Sequence, residues 1–198
     1  MKQVTVVEKS AQQKWDSIYA EQGVTSPNVA HVVRQFAYLL PNTGAALDIA
    51  CGLGGNAIYF AQHGLIAHAW DISSQAIEKL NQHCDENKLS INTKVRDVVA
   101  KPPEENSFDV ISVSFFLERS SAAELINALK PNGLLFYQTF IDEKVSTNGP
   151  NNPSYRLQQN ELLKMFSALH VLVYQEEGCV GDVSQGLRDV AMLVAQKR

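Results

Sequence analysis

The chain has 198 residues, of which 45% are hydrophobic and 19% are charged. This composition is typical of a folded globular protein and excludes wholesale disorder. A chain of this length accommodates one domain with a full hydrophobic core and little more. The formal net charge is −4 and the basic residues are scattered, so the composition shows neither a nucleic-acid footprint nor attraction to an anionic membrane. We therefore expect one domain over residues 1–198, with no nucleic-acid or membrane partner.

The cysteine pattern and the N-terminus bear on location. The three cysteines, Cys51, Cys84 and Cys179, are sparse and lack paired spacing, unlike a disulfide framework or a zinc site. The five histidines also lack the spacing of metal ligands. The first residues hold no apolar signal segment, and no run approaches the roughly 18 apolar residues of a membrane span. These features predict a cytoplasmic protein without a bound metal. The sequence leaves open whether it is a monomer or a homodimer.

Residues 1–44 have the pattern of a helical cap. Ser10 is a candidate N-cap for a first helix that ends near Gly23. The apolar side chains of this helix recur three and four positions apart, which places them on one face. They are Trp15, Ile18 and Tyr19. A second helix is predicted over residues 29–40, before a Pro- and Gly-containing turn.

From residue 45 to residue 198 short apolar strands alternate with helical stretches. Strands are predicted over 45–50, 66–70, 91–96, 108–115, 134–140, 171–175 and 190–195, with a turn at 131–133. Helices are predicted over 55–63, 122–129 and 157–166, and from Asp71 through Cys84. This alternation predicts an α/β fold, a parallel sheet covered on both faces and joined by right-handed crossovers. The last two strands are joined without a helix, which predicts an antiparallel pair.

A glycine-rich turn follows the first predicted strand and opens a helix. Its residues are Asp48-Ile49-Ala50-Cys51-Gly52-Leu53-Gly54-Gly55. Glycine lets the backbone bend sharply and approach a ligand closely, and the helix N-terminus presents free N–H groups. Asp71, at the end of the second strand, can accept both ribose hydroxyls of a nucleoside. Its alternative role is to cap the next helix, which Ser73 or Ser74 can do instead.

The turn fits two classes of nucleotide cofactor. Residues 52–57 satisfy the dinucleotide pattern G-x-G-x-x-A, so an NAD(P)-binding oxidoreductase is one alternative. Three features argue against it. Asp48 is not required by that pattern, about 40 helical residues precede the first strand, and the antiparallel end leaves no second nucleotide-binding half.

Four segments, in this order, resemble the class I S-adenosylmethionine-dependent methyltransferases. They are ALDIACGLGG, AHAWDIS, VRDVVAKPPEENSFDVISVSFFLE and LKPNGLLFYQTF. Each segment alone is common, whereas their order is specific. The resemblance implies a Rossmann-like, doubly wound, seven-stranded sheet that is mostly parallel with an antiparallel last strand. It also implies S-adenosylmethionine as cofactor, S-adenosylhomocysteine as product and a methyl group as the group transferred.

The resemblance also implies roles for individual residues. The methionine end of the cofactor is expected at Asp48, Ala50, Gly52 and Gly54, and the ribose at Asp71. The adenine is expected between Ile72, Asp97 and Val98, and the sulfonium near Ser114 and Phe115. The alternative for Asp97 is a turn residue after a strand, and the alternative for Phe115 is ordinary core packing. Trp15 and Tyr19 either form a lid over the cofactor or simply pack.

The flanking segments resemble the tellurite-resistance and thiopurine-type branch of this family. They are Lys14-Trp15-Asp16-Ser17-Ile18-Tyr19, LPNTGAALDIACGLGGNAIYFAQHG, and Asn152-Pro153-Ser154-Tyr155 ahead of Glu161-Leu162-Leu163. This branch methylates small soft nucleophiles, namely thiols and selenium or tellurium oxyanions. The tellurite-resistance members carry a His-Arg pair in the loop before the last strand. Here only Arg188 has a counterpart, a departure that argues against tellurite as the acceptor.

The sequence does not single out a catalytic base. Glu118, at the exit of the fourth strand, is a candidate base, although a carboxylate at a helix start is the simpler interpretation. Arg156 and Arg188 are candidates for holding an anionic acceptor, or are ion-pair partners. The Asn-Pro-Ser-Tyr stretch at 152–155 faintly resembles the Asn-Pro-Pro-Tyr of amino-methylating DNA enzymes, but it follows the fifth strand, not the fourth. The leading hypothesis is a small-molecule methyltransferase, and the other alternative is a non-catalytic S-adenosylmethionine-binding protein.

Overall fold

A computed structural model describes residues 10–21 and 27–198. The predicted helix end at Gly23 lies outside these residues. The helices are α1 (Ala11–Glu21), α2 (His31–Gln35), α3 (Gly55–Gln62), α4 (Ser74–Asn87), α5 (Ala122–Ala128) and α6 (Glu161–Met165). The strands are β1 (Ala45–Ile49), β2 (Ile66–Asp71), β3 (Ile91–Val95), β4 (Phe108–Ser114), β5 (Leu129–Phe140), β6 (His170–Glu176) and β7 (Val190–Gln196). Single 3-10 turns lie at Ala37–Leu39, Arg119–Ser121 and Pro153–Tyr155.

The strands form one seven-stranded sheet in the order β3-β2-β1-β4-β5-β7-β6. The pairs β2–β3, β1–β2, β1–β4 and β4–β5 are parallel. β7 is antiparallel to both of its neighbours, β5 and β6. The predicted α/β sheet with an antiparallel last strand is therefore confirmed.

Ser10 begins α1 as predicted. Its hydroxyl accepts from the Gln13 N–H at 3.2 Å, and the Gln13 side chain accepts from the Ser10 N–H at 3.0 Å. These reciprocal bonds satisfy two of the donors that every helix leaves free at its start. The helix then carries Trp15 and Tyr19 on one face, with their ring centroids 6.1 Å apart.

Three predicted boundaries are wrong. The helix predicted over 29–40 is only α2 followed by a 3-10 turn, because Phe36 leaves helical geometry at φ −110°. The helix predicted over 157–166 is only α6, because Leu157 instead exchanges backbone hydrogen bonds with Phe140 and Asp142. The turn predicted at 131–133 lies within β5, where β4 and β5 shift register.

The two faces of the sheet carry separate cores. On one face side chains such as Leu47, Ile111 and Leu135 pack beneath α5 and α6. On the other face Val110 and Phe136 pack against Val32 and Val33 of α2. Because strand residues alternate sides, consecutive positions of the central strands are buried in opposite layers. Burial on both faces explains why these strands read as continuous apolar runs.

The strand order reverses direction between β1 and β4. Residues 28–32, called the crossing segment, pass over the sheet at this point. The Ala30 N–H donates to Asn56 Oδ1 at 2.9 Å, and the Val32 N–H donates to Gln138 Oε1 at 2.9 Å. Both bonds are buried, so they fix the start of α2 against α3 and β5. In parallel sheets, ligands bind outside the carboxyl ends of the strands at this switch in strand order.

None of the helices in residues 10–21 and 27–198 combines the length and the apolar character needed to cross a membrane. This finding agrees with the hydropathy of the sequence.

Gly55 should be indispensable for the crossing segment. A Cβ on Gly55 would lie 2.1 Å from the Asn28 carbonyl oxygen, a distance that requires backbone movement. We expect Gly55→Ala to lower the free energy of unfolding by about 2 kcal/mol, measured by urea denaturation, despite the better helix propensity of alanine. Gln62→Ala, at an exposed position of the same helix, is the control. Wild-type stability of Gly55→Ala would refute the close packing.

Candidate active site

The glycine turn has the strained backbone that the sequence pattern predicts. After β1, Ala50 and Gly52 adopt positive φ angles of 50° and 52°, and Gly54 has φ 78°. Gly54 precedes α3, and its N–H donates to the Cys51 carbonyl at 2.8 Å. The turn also lacks room for side chains, because a Cβ on Gly52 would lie 2.5 Å from the Tyr19 hydroxyl. A non-glycine residue at positive φ costs of order 1 kcal/mol, and such strain clusters at ligand sites.

Asp71 ties the end of β2 to this turn. One carboxylate oxygen accepts from the Gly52 N–H at 2.8 Å, and the other accepts from the Ser73 N–H at 2.8 Å. The cap of α4 is Ser73, whose hydroxyl accepts from the Ala76 N–H at 3.2 Å, so Asp71 is not the capping residue. Burial raises the pKa of the Asp71 carboxyl. Each oxygen keeps a lone pair for further donors.

Asp48 is a buried carboxylate in which only one oxygen is engaged by side-chain hydrogen bonds. Its Oδ1 accepts from Asn56 Nδ2 at 3.0 Å and from Ser112 Oγ at 2.8 Å. Its Oδ2 is buried and makes no hydrogen bond of standard geometry among the described residues. Burial raises the pKa of this carboxyl to about 7, against the lowering effect of its side-chain donors and of the nearby Ala57 N–H. An unsatisfied buried acceptor is costly unless a ligand donor completes it, which fits a polar or cationic group such as an ammonium.

Asn56 is the site residue that sequence reasoning missed. Its amide nitrogen donates to Asp48 Oδ1 at 3.0 Å and to Ser114 Oγ at 3.1 Å, while its oxygen accepts from the Ala30 N–H. It therefore joins the ends of β1 and β4 and the crossing segment. The available signal was a polar residue in the first turn of α3 at a position that is 5% exposed, although burial is not visible in a sequence.

A cleft of about 420 Å³ lies beside the Asp71 end of the turn. It is lined by Ser10, Ala11, Gln12, Ile72, Val95, Arg96 and Asp97. Ile72 is half-buried and Asp97 is exposed. Asp97 Oδ1 accepts from the Val99 and Ala100 N–H groups at 2.9 and 3.2 Å, which is the turn geometry considered as its alternative. Val98 is buried in the core and is not one of the lining residues.

Ser114 and Phe115 lie across the switch point from the glycine turn. Phe115 follows β4 with φ 57° and is 47% exposed, and its ring centroid is 4.9 Å from that of Phe140. Positive φ is rare for so bulky a residue. Ala50 and Phe115 thus place two strained non-glycine residues at the ends of adjacent strands β1 and β4, on either side of the crevice.

Helix α1 covers this crevice. Tyr19 lies over Gly52, and Trp15, which is 40% exposed, stacks on Tyr19. The Lys14 ammonium lies 6.0 Å from the Trp15 ring centroid and 5.9 Å from that of Tyr155. These contacts place α1 between the glycine turn and the 3-10 turn at Pro153–Tyr155.

The three candidate catalytic or acceptor-binding residues are engaged in local structure. Glu118 Oε1 accepts from the Ser120 N–H at 3.1 Å and from its hydroxyl at 2.6 Å, as expected for a carboxylate at a helix start. Arg156 pairs with Asp142 at 3.1 Å. Arg188 donates to the carbonyls of its own loop. The loop acceptors are Gln185, Gly178, Val180 and Asp182.

A second cleft, of about 480 Å³, lies away from this site on the exposed face of β2 and β3. Its walls include Trp70, Lys94 and Phe108, and it shares no residue with the glycine turn. We assign the site to the crevice at the glycine turn, where the strained backbone of Ala50, the unpartnered Asp48 oxygen and the N-terminus of α3 lie together. The smaller cleft adjoins this turn through Ile72, the residue after Asp71. Among residues 10–21 and 27–198, no group of three or more metal-ligating side chains could hold a metal ion.

Comparison with known proteins agrees with the geometry. Residues 46–133 match the family described as a methyltransferase domain. The chain is also 28% identical, over 135 residues, to a "Probable S-adenosyl-L-methionine-dependent methyltransferase TehB" of Haemophilus influenzae. That alignment covers 66% of this chain and 47% of the relative, so the chain spans about half the length of the curated relatives it matches.

Solved structures show the same fold. The crystal structure of TehB from Haemophilus influenzae superposes with a TM-score of 0.71 at 21% identity, covering 93% of this chain and 67% of that one. A methyltransferase from Aquifex aeolicus gives 0.69 at 14% identity, covering 96% and 100%. The chain therefore shares its fold with these methyltransferases, and residues 46–133 are similar to a methyltransferase domain. TehB is among the similar proteins in both comparisons, and the domain match favours the methyltransferase hypothesis over the NAD(P)-dependent alternative.

Asp48→Asn should separate stability from binding. Because burial raises the folded-state pKa of Asp48 from 3.8 to about 7, the folded state holds a proton that the unfolded state releases between these values. The carboxyl therefore costs stability progressively as pH rises through this window. We expect Asp48→Asn to raise the melting temperature at pH 8, and this gain to shrink as pH falls towards 4.

The same variant should bind S-adenosylhomocysteine more weakly, because an amide nitrogen replaces the unpartnered acceptor oxygen. Circular dichroism melts across pH 4–8 and calorimetric titration measure the two effects. A stability difference that is independent of pH would contradict the proposed cost of the buried charge.

Proposed function

We propose that this chain transfers a methyl group from S-adenosylmethionine to a small, soft nucleophile, such as a thiol or a selenium or tellurium oxyanion. The observation that carries the proposal is the Asp71-anchored glycine turn beside exposed aromatic rings, with the candidate base Glu118 committed to Ser120. The acceptor is a small molecule, not a nucleic acid, and the single domain acts as a monomer or a homodimer in the cytoplasm.

The residues present fit the cofactor from end to end. The unpartnered Asp48 oxygen and the N–H groups of the 52–54 turn suit the ammonium and carboxylate of the methionine end. Asp71 suits the ribose hydroxyls, and the cleft between Ile72 and Asp97 suits the flat adenine. Bound S-adenosylmethionine supplies a methyl group on a positively charged sulfur, which departs as a neutral thioether.

The remaining task of the protein is positioning and exclusion of water. Trp15 on α1, Phe115 after β4 and Tyr155 on the 3-10 turn are 40–51% exposed. We place the mouth of the crevice among these rings, where an entering acceptor would displace water from apolar surface. Alignment of a nucleophile with its target supplies much of the rate enhancement without proton transfer. Phe115, held at positive φ beside Ser114, would set the approach of the acceptor.

The carboxylates near the mouth favour an acceptor that needs no base. Glu118 is bonded to Ser120, and Asp71 is buried and bonded to the Gly52 and Ser73 N–H groups. The unpartnered Asp48 oxygen is assigned to the ammonium of the cofactor. A thiolate or an oxyanion lone pair attacks without deprotonation by the protein, whereas an amine or alcohol needs a base within hydrogen-bond reach. The tellurite-resistance and thiopurine-type resemblance supports the same class of acceptor, and the missing histidine partner of Arg188 favours thiols over tellurite.

Asp71→Ala should weaken S-adenosylhomocysteine binding more than tenfold while the fold remains intact, because both ribose hydroxyls lose their acceptor. Calorimetric titration measures the affinity, and far-ultraviolet circular dichroism checks the fold. In a thermal-shift assay the wild type should be stabilised by S-adenosylhomocysteine and not by NADH. Unchanged affinity in the folded variant would remove Asp71 from the site.

The acceptor class is tested by turnover with a radiolabelled methyl donor. We expect methylation of thiols or selenite, with a thiol rate that rises with pH as the thiol itself ionises. Catechols and primary amines serve as controls and should give background rates. Methylation of an amine or a hydroxyl compound alone would contradict the proposed soft nucleophile.

A further inference from the structure

Helix α1 is fastened to α4 by one carboxylate. Asp16 Oδ1 accepts from Ser73 Oγ at 2.7 Å, from the Gln75 N–H at 3.2 Å and from Ser74 Oγ at 3.4 Å. Lys79 adds a bond from its ammonium to the Tyr19 carbonyl. Asp16 therefore lies at the N-terminus of α4, where the helix dipole and the free N–H groups favour an anion.

Ser73 connects this fastening to the cofactor site. Its N–H donates to Asp71 at 2.8 Å, and its hydroxyl donates to Asp16 while accepting from the Ala76 N–H. Ser73 is completely buried, so water does not substitute for these partners. Two carboxylates, the one assigned to the ribose and the one on α1, thus share a single serine.

The position of Asp16 on α1 determines what the helix places over the crevice. Tyr19 lies almost one turn further along the helix and has its hydroxyl over Gly52. In the opposite direction, Ser10, Ala11 and Gln12 line the cleft assigned to adenine. Because a helix moves as a rigid unit, fixing Asp16 fixes both ends of this cover.

Asp16 is suited to a permanent fastening. The hydrogen bond from Ser73 is the largest of several contacts that lower the pKa of its carboxyl, so it stays ionised throughout the neutral range. Hydrogen bonds to a charged acceptor are stronger than neutral ones. Its side-chain hydrogen bonds go to Ser73, Ser74 and Gln75, so its structural effect on the cofactor site passes through α1 and Ser73. Burial raises the pKa of Asp71, and the charge of Asp16 raises it further. Asp16→Asn removes that charge while it keeps an acceptor oxygen.

We propose that Asp16 is a positioning residue for cofactor binding, which holds α1 over the crevice and couples that closure to Asp71 through Ser73. The proposal rests on the cofactor site proposed above. Asp16 acts in retention of the cofactor and not in methyl transfer. Removal of the Asp16 carboxylate should therefore raise KM for the methyl donor and leave kcat at saturating donor nearly unchanged.

The test compares two substitutions with a matched control. Asp16→Ala removes all three accepted bonds, and alanine improves helix propensity, so the helix itself is not endangered. Asp16→Asn keeps an acceptor oxygen for Ser73 and Gln75. Asp85→Ala makes the same truncation at an exposed carboxylate on α4, away from the contact with α1.

For Asp16→Ala we expect about tenfold weaker S-adenosylhomocysteine binding by calorimetry and a similar rise in donor KM, with kcat within threefold of wild type. Hydrogen exchange should show lost protection in α1 alone. Asp16→Asn should recover most of the affinity, and Asp85→Ala should match the wild type.

Wild-type affinity and unchanged α1 protection in Asp16→Ala would overturn the proposal, as would an equal loss in Asp85→Ala. Asp71→Ala, measured alongside, separates the two levels of inference. Normal binding in Asp71→Ala refutes the cofactor site itself. Weak binding in Asp71→Ala together with normal binding in Asp16→Ala refutes only the role of Asp16.

Discussion

The bond between the Asp71 carboxylate and the Gly52 N–H, at 2.8 Å, is the constraint on which the site depends. It connects the end of β2 to the bend that follows β1, and so fixes the strained turn in the shape that exposes its N–H groups. The burial that raises the pKa of Asp71 is the cost of this arrangement, and the N–H donors of Gly52 and Ser73 offset it. The buried carboxylate and the strained turn lower the stability of the folded state, which is common at ligand-binding sites.

Much of the fold was predictable from the sequence, since the seven strands are apolar runs between clear turn signals. The errors lie where tertiary contacts decide the local structure. Leu157 has the periodicity of a helix, but its backbone pairs with Phe140. The Pro-Asn-Gly stretch within β5 looks like a turn, but it is absorbed by a register shift against β4. Neither partner is adjacent in sequence, so propensity alone gives the wrong boundary.

The candidate site was predictable in part for the same reason. Positions that follow strands in a parallel sheet converge at one edge, so Asp48, Gly52 and Asp71 could be placed together from the pattern alone. Asn56 and Asp16 could not, because their importance lies in bonds to distant residues such as Ser114 and Ser73. Arg188 is the reverse example, a residue that the sequence suggests for substrate binding and that the structure engages elsewhere. Its guanidinium donates to the carbonyls of its own loop.

The most direct measurement is a crystal structure with S-adenosylhomocysteine bound. The account predicts the ribose hydroxyls on the Asp71 carboxylate, the adenine in the cleft between Ile72 and Asp97, and the amino-acid end of the ligand beside Asp48. A complex with the ligand elsewhere, in which Asp71 bonds only to Gly52 and Ser73 and the turn contacts no part of the nucleoside, would contradict it.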